Sequence, residues 1–464
     1  MRSVQTILQH RQAAVQSDRA SAMAAMSLRK HLGYGLWTGA IALLAASSAS
    51  AQISLSSTVG LALQNSTSVK LAAVDVQRAV ASLAETKDAY IPNFVVGANP
   101  GPPSIGYPLG EPSIFTVQSQ SLVYSYSQPD YMRAARAAVK SAQLKLKDDK
   151  DQVALDCSVA YIQLNTDLRQ LASLDQEKAD ADALVSIEQQ RLDAGVDSRM
   201  DLTRAEITSA QIDIKRLHTQ DDAAEQRQKL SHLTGLPPAS FIPDPKSIPP
   251  APDFASGGSL TDQTVDSNAG IQAAYANAKS KLELYFGDKK QNYRPLFAFG
   301  AEYSRFASFE NYSTYYKNFS NNNFGAAVQI TFPLFDATRR AKARESAAIA
   351  QHAQIEANQA RYQTIEQVGS LRHNLAELKA RQHLAQLQVD LAQEQLQAVQ
   401  SELANGSGSL VSAPVTPKDE ELAAIQAQER QQDALSAGMS LISAELSLMR
   451  SIGTIQDWIN LSIK

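Results

Sequence analysis

Side chains that could do chemistry are present in this 464-residue chain, but not at the spacing that chemistry needs. The nearest pairs among the seven scattered histidines, His218 with His232 and His373 with His383, stand 14 and 10 positions apart. Neither makes the i, i+4 pair of a helical metal site. The single cysteine, Cys157, excludes an internal disulfide and a cysteine-based zinc site. Asp148, Asp149 and Asp151 are interleaved with lysines, the pattern of a solvated helix surface rather than of paired carboxylates in a pocket. There is no phosphate-cradling glycine loop and no G-x-S-x-G turn. The chain is therefore expected to be no enzyme and to hold no metal or cofactor. A net charge of −4, with Lys and Arg spread among Asp and Glu, gives no basic stripe for nucleic acid.

The elements around these residues are unusually long. Ala134 to Ala194 contains neither Pro nor Gly, and Ala337 to Asn405 is broken only by Gly369. At 1.5 Å per residue they would reach about 90 and about 100 Å. Leu164, Leu168 and Leu171, and again Leu371, Leu375 and Leu378, recur at three- and four-residue steps, an alanine-rich apolar seam suited to close helix packing. Each long helix ends at a glycine, Gly195 in the first case and Gly406 in the second. Asp197 and Asp201 follow Gly195. Their place just ahead of a helix suits capping of the helix that leaves the turn.

The chain repeats itself. Asn65–Ala98 lies ungapped over Asn268–Ala301, 203 positions later, with Asn65, Tyr90, Pro92 and Gly97 falling on Asn268, Tyr293, Pro295 and Gly300. LSHLTGL (Leu230–Leu236) closes one half and LMRSIGT (Leu448–Thr454) the other. A repeat this long is one supersecondary module used twice. The expected divisions are an N-terminal extension and signal peptide over 1–51, a first repeat over 52–236, a Pro-rich linker over 237–258 and a second repeat over 259–464. Arg29 to His31, the apolar run Leu32–Ala46 and Ala49-Ser50-Ala51 have the form of a secretory signal cleaved after Ala51, with Met23 or Met26 as alternative starts. No cysteine follows that site, so a lipid-anchored N-terminus is not expected. After Ala51 no apolar stretch is long enough for a membrane helix, which leaves a soluble exported protein or one that enters a membrane through strands.

Short segments between the helices alternate with period 2: Phe115–Tyr126, Leu296–Phe306 and Phe324–Phe335. One face is apolar or aromatic and the other small or polar, a pattern shared by membrane-spanning strands and by hairpins of soluble sheets. Ala307–Asn323 between the last two is polar and irregular, and Phe94–Ala98 makes a short first strand that runs into Pro100, Pro102 and Pro103. Each half then has the order helix, strand, strand, long helix, Gly turn, helix. Stacking Asp201–Thr234 on Leu260–Tyr293, and Thr58–Ala89 on Asp419–Trp458, would match the long arms and place the Pro-rich linker at mid-height as a belt. Four strands cannot close a barrel in lipid. Three chains would supply about 12, inside the range of membrane barrels.

With these pieces in order, the chain resembles the TolC family of outer-membrane efflux channels over about Leu55 to Trp458. The matching segments are AYIPNF (Ala89–Phe94), FGAAVQITFPLFD (Phe324–Asp336), RLDAGVDSRMDLTRAE (Arg191–Glu206), LTGL (Leu233–Leu236) and SIGTIQDW (Ser451–Trp458). The resemblance implies a mainly α chain with a β-barrel part: a homotrimer whose strands form one transmembrane β-barrel in outer-membrane lipid and whose helices form a coiled-coil barrel through the periplasm. It further implies a passive exit duct of a tripartite efflux or type I secretion system, with a periplasmic membrane-fusion adaptor and an inner-membrane pump as partners. The Gly turns would be the periplasmic tip that meets the adaptor. Carried over, the contact residues are Arg191, Ala194, Gly195, Val196 and Leu202 in the first tip and Gly406 in the second, with Asp197 and Asp201 as entrance acids. The second tip departs from the pattern: Pro414 and Pro417 follow Gly406, and no acid lies between Glu402 and Asp419. The alternative expectation is an exported periplasmic coiled-coil adaptor or scaffold.

Overall fold

The computed structural model describes residues 52–99, 114–250, 252, 265–306, 320–405 and 415–461. The signal segment, Gly406 with Pro414, and 307–319 of the irregular stretch lie outside them.

Two short helices, α1 (Leu55–Asn65) and α2 (Thr67–Asp88), lead into strands β1 (Asn93–Asn99) and β2 (Ile114–Ser125). A 66-residue helix α3 (Gln128–Asp193) follows, then α4 (Arg199–Thr234). The second repeat runs α5 (Ala269–Gln291), β3 (Leu296–Phe306), β4 (Asn322–Thr331), the 69-residue α6 (Ala337–Asn405), α7 (Pro417–Ile452) and α8 (Ile455–Leu461). The two helices that leave the Gly turns, α4 and α7, are both 36 residues long. No helix among the described residues is long and apolar enough to cross a membrane.

The four strands form one antiparallel sheet in the order β1-β2-β3-β4, so the two hairpins join through β2 and β3. Strands β2 and β3 fall where alternation places them, and β1 takes the short span expected around Phe94–Ala98. The last is shorter than its pattern: β4 stops at Thr331 because Pro333 has no N–H for the ladder. Its start also extends back to Asn322, into the stretch expected to be irregular. The first and last helices are each broken where one was expected. Ser66 divides α1 from α2, and Gly453, at φ +78°, ends α7 before α8.

Helix α3 is the spine, packing against α1, α2, α4, α5 and α7, while α6 packs against α5 and α7. The end-on stacking differs from the expected one. The carbonyl of Thr234, at the end of α4, accepts from the Asn65 amide at 2.8 Å, just before α2 begins. The carbonyls of Ser451 and Ile452, at the end of α7, accept from the Asn268 amide and the Ser267 hydroxyl, just before α5. Each repeat therefore stacks its own last helix under its own first upward helix, rather than crossing to the other repeat. The reason is local. A helix C-terminus exposes carbonyls and carries partial negative charge. The Asn at the repeat's N-terminal boundary supplies the donor, and the next helix supplies the positive end of its dipole. Gly235 and Gly453, both left-handed, let the chain turn away at those ends without a Cβ clash.

The main core lies around the first joint. Leu55, Val59, Cys157, Tyr161, Leu164, Leu230, Leu446 and Met449 are buried there together with Phe241 of the linker and Trp458 of α8. Burial pushes the Cys157 thiol up to about 12, which leaves it an inert core side chain. The linker is tied to this core. Its Asp244 backbone amide donates to the Tyr161 hydroxyl at 2.7 Å, Ser247 accepts from the Leu55 amide, and the Pro250 carbonyl accepts from the Trp458 indole. A second cluster of Ile271, Val368, Leu375, Leu441 and Leu448 packs the other joint.

Candidate functional site

Two regions carry the features singled out in the sequence: the turn between α3 and α4, and the sheet at the opposite end of α3.

At the turn, α3 terminates because Gly195 adopts φ +71°, a left-handed conformation that a Cβ disfavours. The amides of Gly195 and Val196 return to the carbonyls of Leu192 and Arg191. Helix α4 then starts with a capping box: the Ser198 amide and hydroxyl both donate to Asp201 Oδ2, at 3.2 and 2.7 Å. Asp201 is thus a cap, and the hydrogen bonds from Ser198 hold its carboxyl below the usual carboxylate range. Asp197 is not a cap. Arg191 Nε donates to it at 2.5 Å across the turn, and this guanidinium lowers its pKa. Arg191 and Asp197 are thereby brought together, Val196 projects into solvent at 64 % exposure, Ala194 is exposed, and Leu202 is buried beneath the turn.

The helix leaving the second turn starts in the same way. Thr416 and Asp419 form the equivalent capping box at α7. Between them Lys418 reaches back to α3, with Nζ 2.5 Å from Glu188 Oε1 and 3.8 Å from Asp197 Oδ2. Glu188 is only 2 % exposed, and this carboxylate raises the Lys418 pKa. Deeper along the same face, Gln432 of α7 donates to the buried Glu177 at 2.5 Å, and Ser173 donates to the Gln428 side chain at 2.7 Å. Glu188, Glu177 and Lys418 were not singled out in the sequence. The signal was there. Leu174, Glu177, Ala181, Leu184 and Glu188 step by three and four along one buried stripe of α3, so two glutamates occupy apolar-seam positions and need a partner. Among the described residues no group of three or more His, Cys, Asp or Glu could hold a metal ion.

The sheet has two distinct faces. Register places Phe94 and Val96 beside Ser119 and Val117, then beside Ala301 and Tyr303, then beside Ala326 and Phe324. The same face continues through Phe299, Val328, Phe297 and Ile330, and an irregularity after Leu122 brings Tyr124 opposite Phe297. The other face carries Asn93, Thr116, Gln118, Gln120, Glu302, Ser304 and Gln329, with Gly300 and Gly325 between them. Phe94 and Phe324 are about three-quarters exposed, so the apolar face is uncovered within one chain. Such an apolar face, uncovered and backed by a polar one, is what a strand needs between lipid and water.

Residues 58–236 match the family described as outer membrane efflux protein. No curated protein matches the chain. Solved structures extend the likeness past the first repeat. A CusC structure superposes with TM-score 0.70 at 14 % identity, over 86 % of this chain and 92 % of that one. The VceC outer membrane protein of Vibrio cholerae superposes with TM-score 0.67 at 16 % identity, over 86 % and 96 %. The CmeC outer membrane channel of Campylobacter jejuni superposes with TM-score 0.68 at 13 % identity, over 88 % and 89 %. The fold of the chain is therefore that of outer-membrane channels along both repeats, as the TolC resemblance implied.

Proposed function

We propose that the protein is the outer-membrane channel of a tripartite efflux system, a passive exit duct with its sheet in outer-membrane lipid and its helices in the periplasm. The observation that carries this reading is the two-faced sheet with both edges open: β1 and β4 end it, and among the described residues nothing pairs them. Open edges are not tolerated in lipid. Copies of the same chain can pair β4 of one with β1 of the next, and three copies give a barrel of about 12 strands. Two copies would give about 8, whose interior side chains fill. The helices support the same closure. Ile207, Ile214 and Leu217 leave an exposed apolar stripe on α4, and Leu384, Leu387 and Leu391 leave one on α6. These helices stand at opposite edges of the helical wall, separated by α3 and α7.

In this assembly the domains are the two repeats, 52–236 and 259–464, with 237–258 as an equatorial belt. The Gly turns form the periplasmic tip. Arg191, Ala194, Gly195, Val196 and Leu202, with Gly406 of the second turn, meet a periplasmic adaptor that links the duct to an inner-membrane pump. The pump supplies the energy, since the described residues of the tip hold ion pairs and no catalytic group. A free-standing periplasmic adaptor would leave the uncovered apolar face of the sheet without an occupant.

Mass measurement in detergent, with heat-modifiable migration and conductance in a planar bilayer, tests the reading. Three chains and a conducting pore are expected; a soluble monomer sinks it. For the tip, Gly195→Pro is expected to abolish cross-linking to the adaptor while leaving the trimer intact. Unchanged cross-linking and unchanged efflux count against the assignment.

A further inference from the structure

We propose that Arg294 and Arg340 seat the phosphate headgroups of anionic phospholipid at the foot of the sheet's apolar face. The inference rests on the outer-membrane reading above and adds a ligand to it.

A series of rings leads down from the apolar face. Phe297 lies 6.2 Å from Tyr124, and Tyr124 meets Tyr126 edge-on at 5.0 Å. The Arg294 guanidinium then sits 5.3 Å from the Tyr126 centroid and 5.3 Å from that of Tyr293. Arg294 is thus the polar end of an aromatic ladder that starts on the strands. The β4 edge has a counterpart. Phe332 continues the alternation of Val328 and Ile330 one residue past the strand, and Leu334, next but one, is 92 % exposed. Arg340 in the first turn of α6 lies 4.7 Å over the ring of Phe335.

The charge at this level is not neutralised evenly. Arg133 pairs with Glu283 and Asp130, Lys290 with Asp130, and Arg339 with Asp336. Among the described residues neither Arg294 nor Arg340 has a carboxylate partner. A guanidinium laid on a ring keeps its N–H edge free, and that edge is a fork matched to phosphate oxygens. Aromatic side chains favour the headgroup level of a bilayer, and an adjacent cation there is attracted to anionic lipid. Aromatic rings, an unpaired fork and continuity with the lipid-facing strands coincide at both positions, which selects a lipid headgroup as the occupant.

The test is lipid retention by the full-length protein, followed by native mass spectrometry with phosphatidylglycerol or phosphatidylcholine titrated into detergent. The unmodified protein is expected to prefer phosphatidylglycerol. The Arg294→Gln/Arg340→Gln double variant is expected to bind it about thirtyfold more weakly, the combined effect of two cations near a membrane surface. Arg294→Lys/Arg340→Lys, which keeps the charge without the fork, should fall between. Arg381→Gln, which removes a paired arginine of α6 far from the sheet, should leave binding unchanged. Equal binding by the double variant, no lipid preference in the unmodified protein, or an equal loss with Arg381→Gln overturns the proposal. A protein that never enters membranes overturns the channel reading itself, whereas one that inserts as a trimer without lipid preference overturns only this inference.

Discussion

Asn268 joins the top of α7 to the foot of α5. Its side-chain amide donates to the Ser451 carbonyl at 3.0 Å, and its side-chain oxygen accepts from the amides of Gly270 and Ile271. One residue thus serves the unsatisfied ends of two helices at once. Asn65, its counterpart in the first repeat, makes the bond to Thr234.

The two asparagines should therefore differ in cost. Asn268→Ala removes a helix N-cap and a buried donor together and is expected to lower stability by about 2 kcal/mol. Asn65→Ala removes one exposed donor and should cost about 1 kcal/mol or less. Thermal melts of the two variants in the same detergent check the order, and the reverse order would mean that the joints do not work as described.

Lys418→Met takes the cation from beside the buried Glu188. Leaving that carboxylate unpaired is expected to cost about 2–3 kcal/mol locally, loosening α7 from α3 at the tip. Faster amide exchange around Glu188 and a larger single-channel conductance are expected. Adding Glu188→Gln should reverse most of both changes, because the stranded charge is gone.

Asp167 of α3 gives a pH dependence. Burial pushes its carboxyl up to about 6, against a 2.6 Å hydrogen bond from Gln163, and Asp222 on α4 adds to the rise. An acid whose folded pKa exceeds its unfolded one binds its proton more tightly in the folded state. Ionising it therefore costs stability. The cost is fully present above about pH 6 and vanishes as pH falls through the ordinary carboxylate range near 4. Asp167→Asn should raise the melting temperature at pH 7.5, by the equivalent of about 1–2 kcal/mol, and leave it unchanged at pH 4. A gain that does not depend on pH would rule out ionisation as the cause.

Leu387→Lys on α6 or Ile214→Lys on α4 places a charge in an exposed apolar stripe without touching the buried seams. Each is expected to yield folded monomers that circular dichroism cannot tell from the parent. Persistence of the trimer on sizing columns would remove these stripes from the subunit contact.

Much of this molecule could be read from residue order. The long helices followed from runs without Pro and with Gly369 as their one glycine, and β3 from strict alternation, because both depend on local propensity. The stacking partner of each short helix did not follow, since helix lengths match equally well in either pairing. The end-on hydrogen bonds of Asn65, Ser267 and Asn268 decide it. At the tip, Gly195 announced itself by type. Lys418 did not, because its partner Glu188 lies 230 positions earlier and the seam position of that glutamate is visible only along the whole helix. Asp197 and Asp201 looked alike in sequence, and the Arg191 guanidinium separates them.

The two joints also give the wall a direction in its mechanics. At mid-height α3 and α6 pass through unbroken, their backbone hydrogen bonds continuous along the axis. The other two columns, α4 under α2 and α7 under α5, merely abut. Pushed together along the axis, all four columns bear the load. Pulled apart, the abutting pair resists with a few side-chain hydrogen bonds, each worth about 1 kcal/mol, and with the apolar contacts of the joints, while the two unbroken rods carry most of the tension. A column built this way is stiff in compression and weaker under stretch, and it yields first at the asparagines.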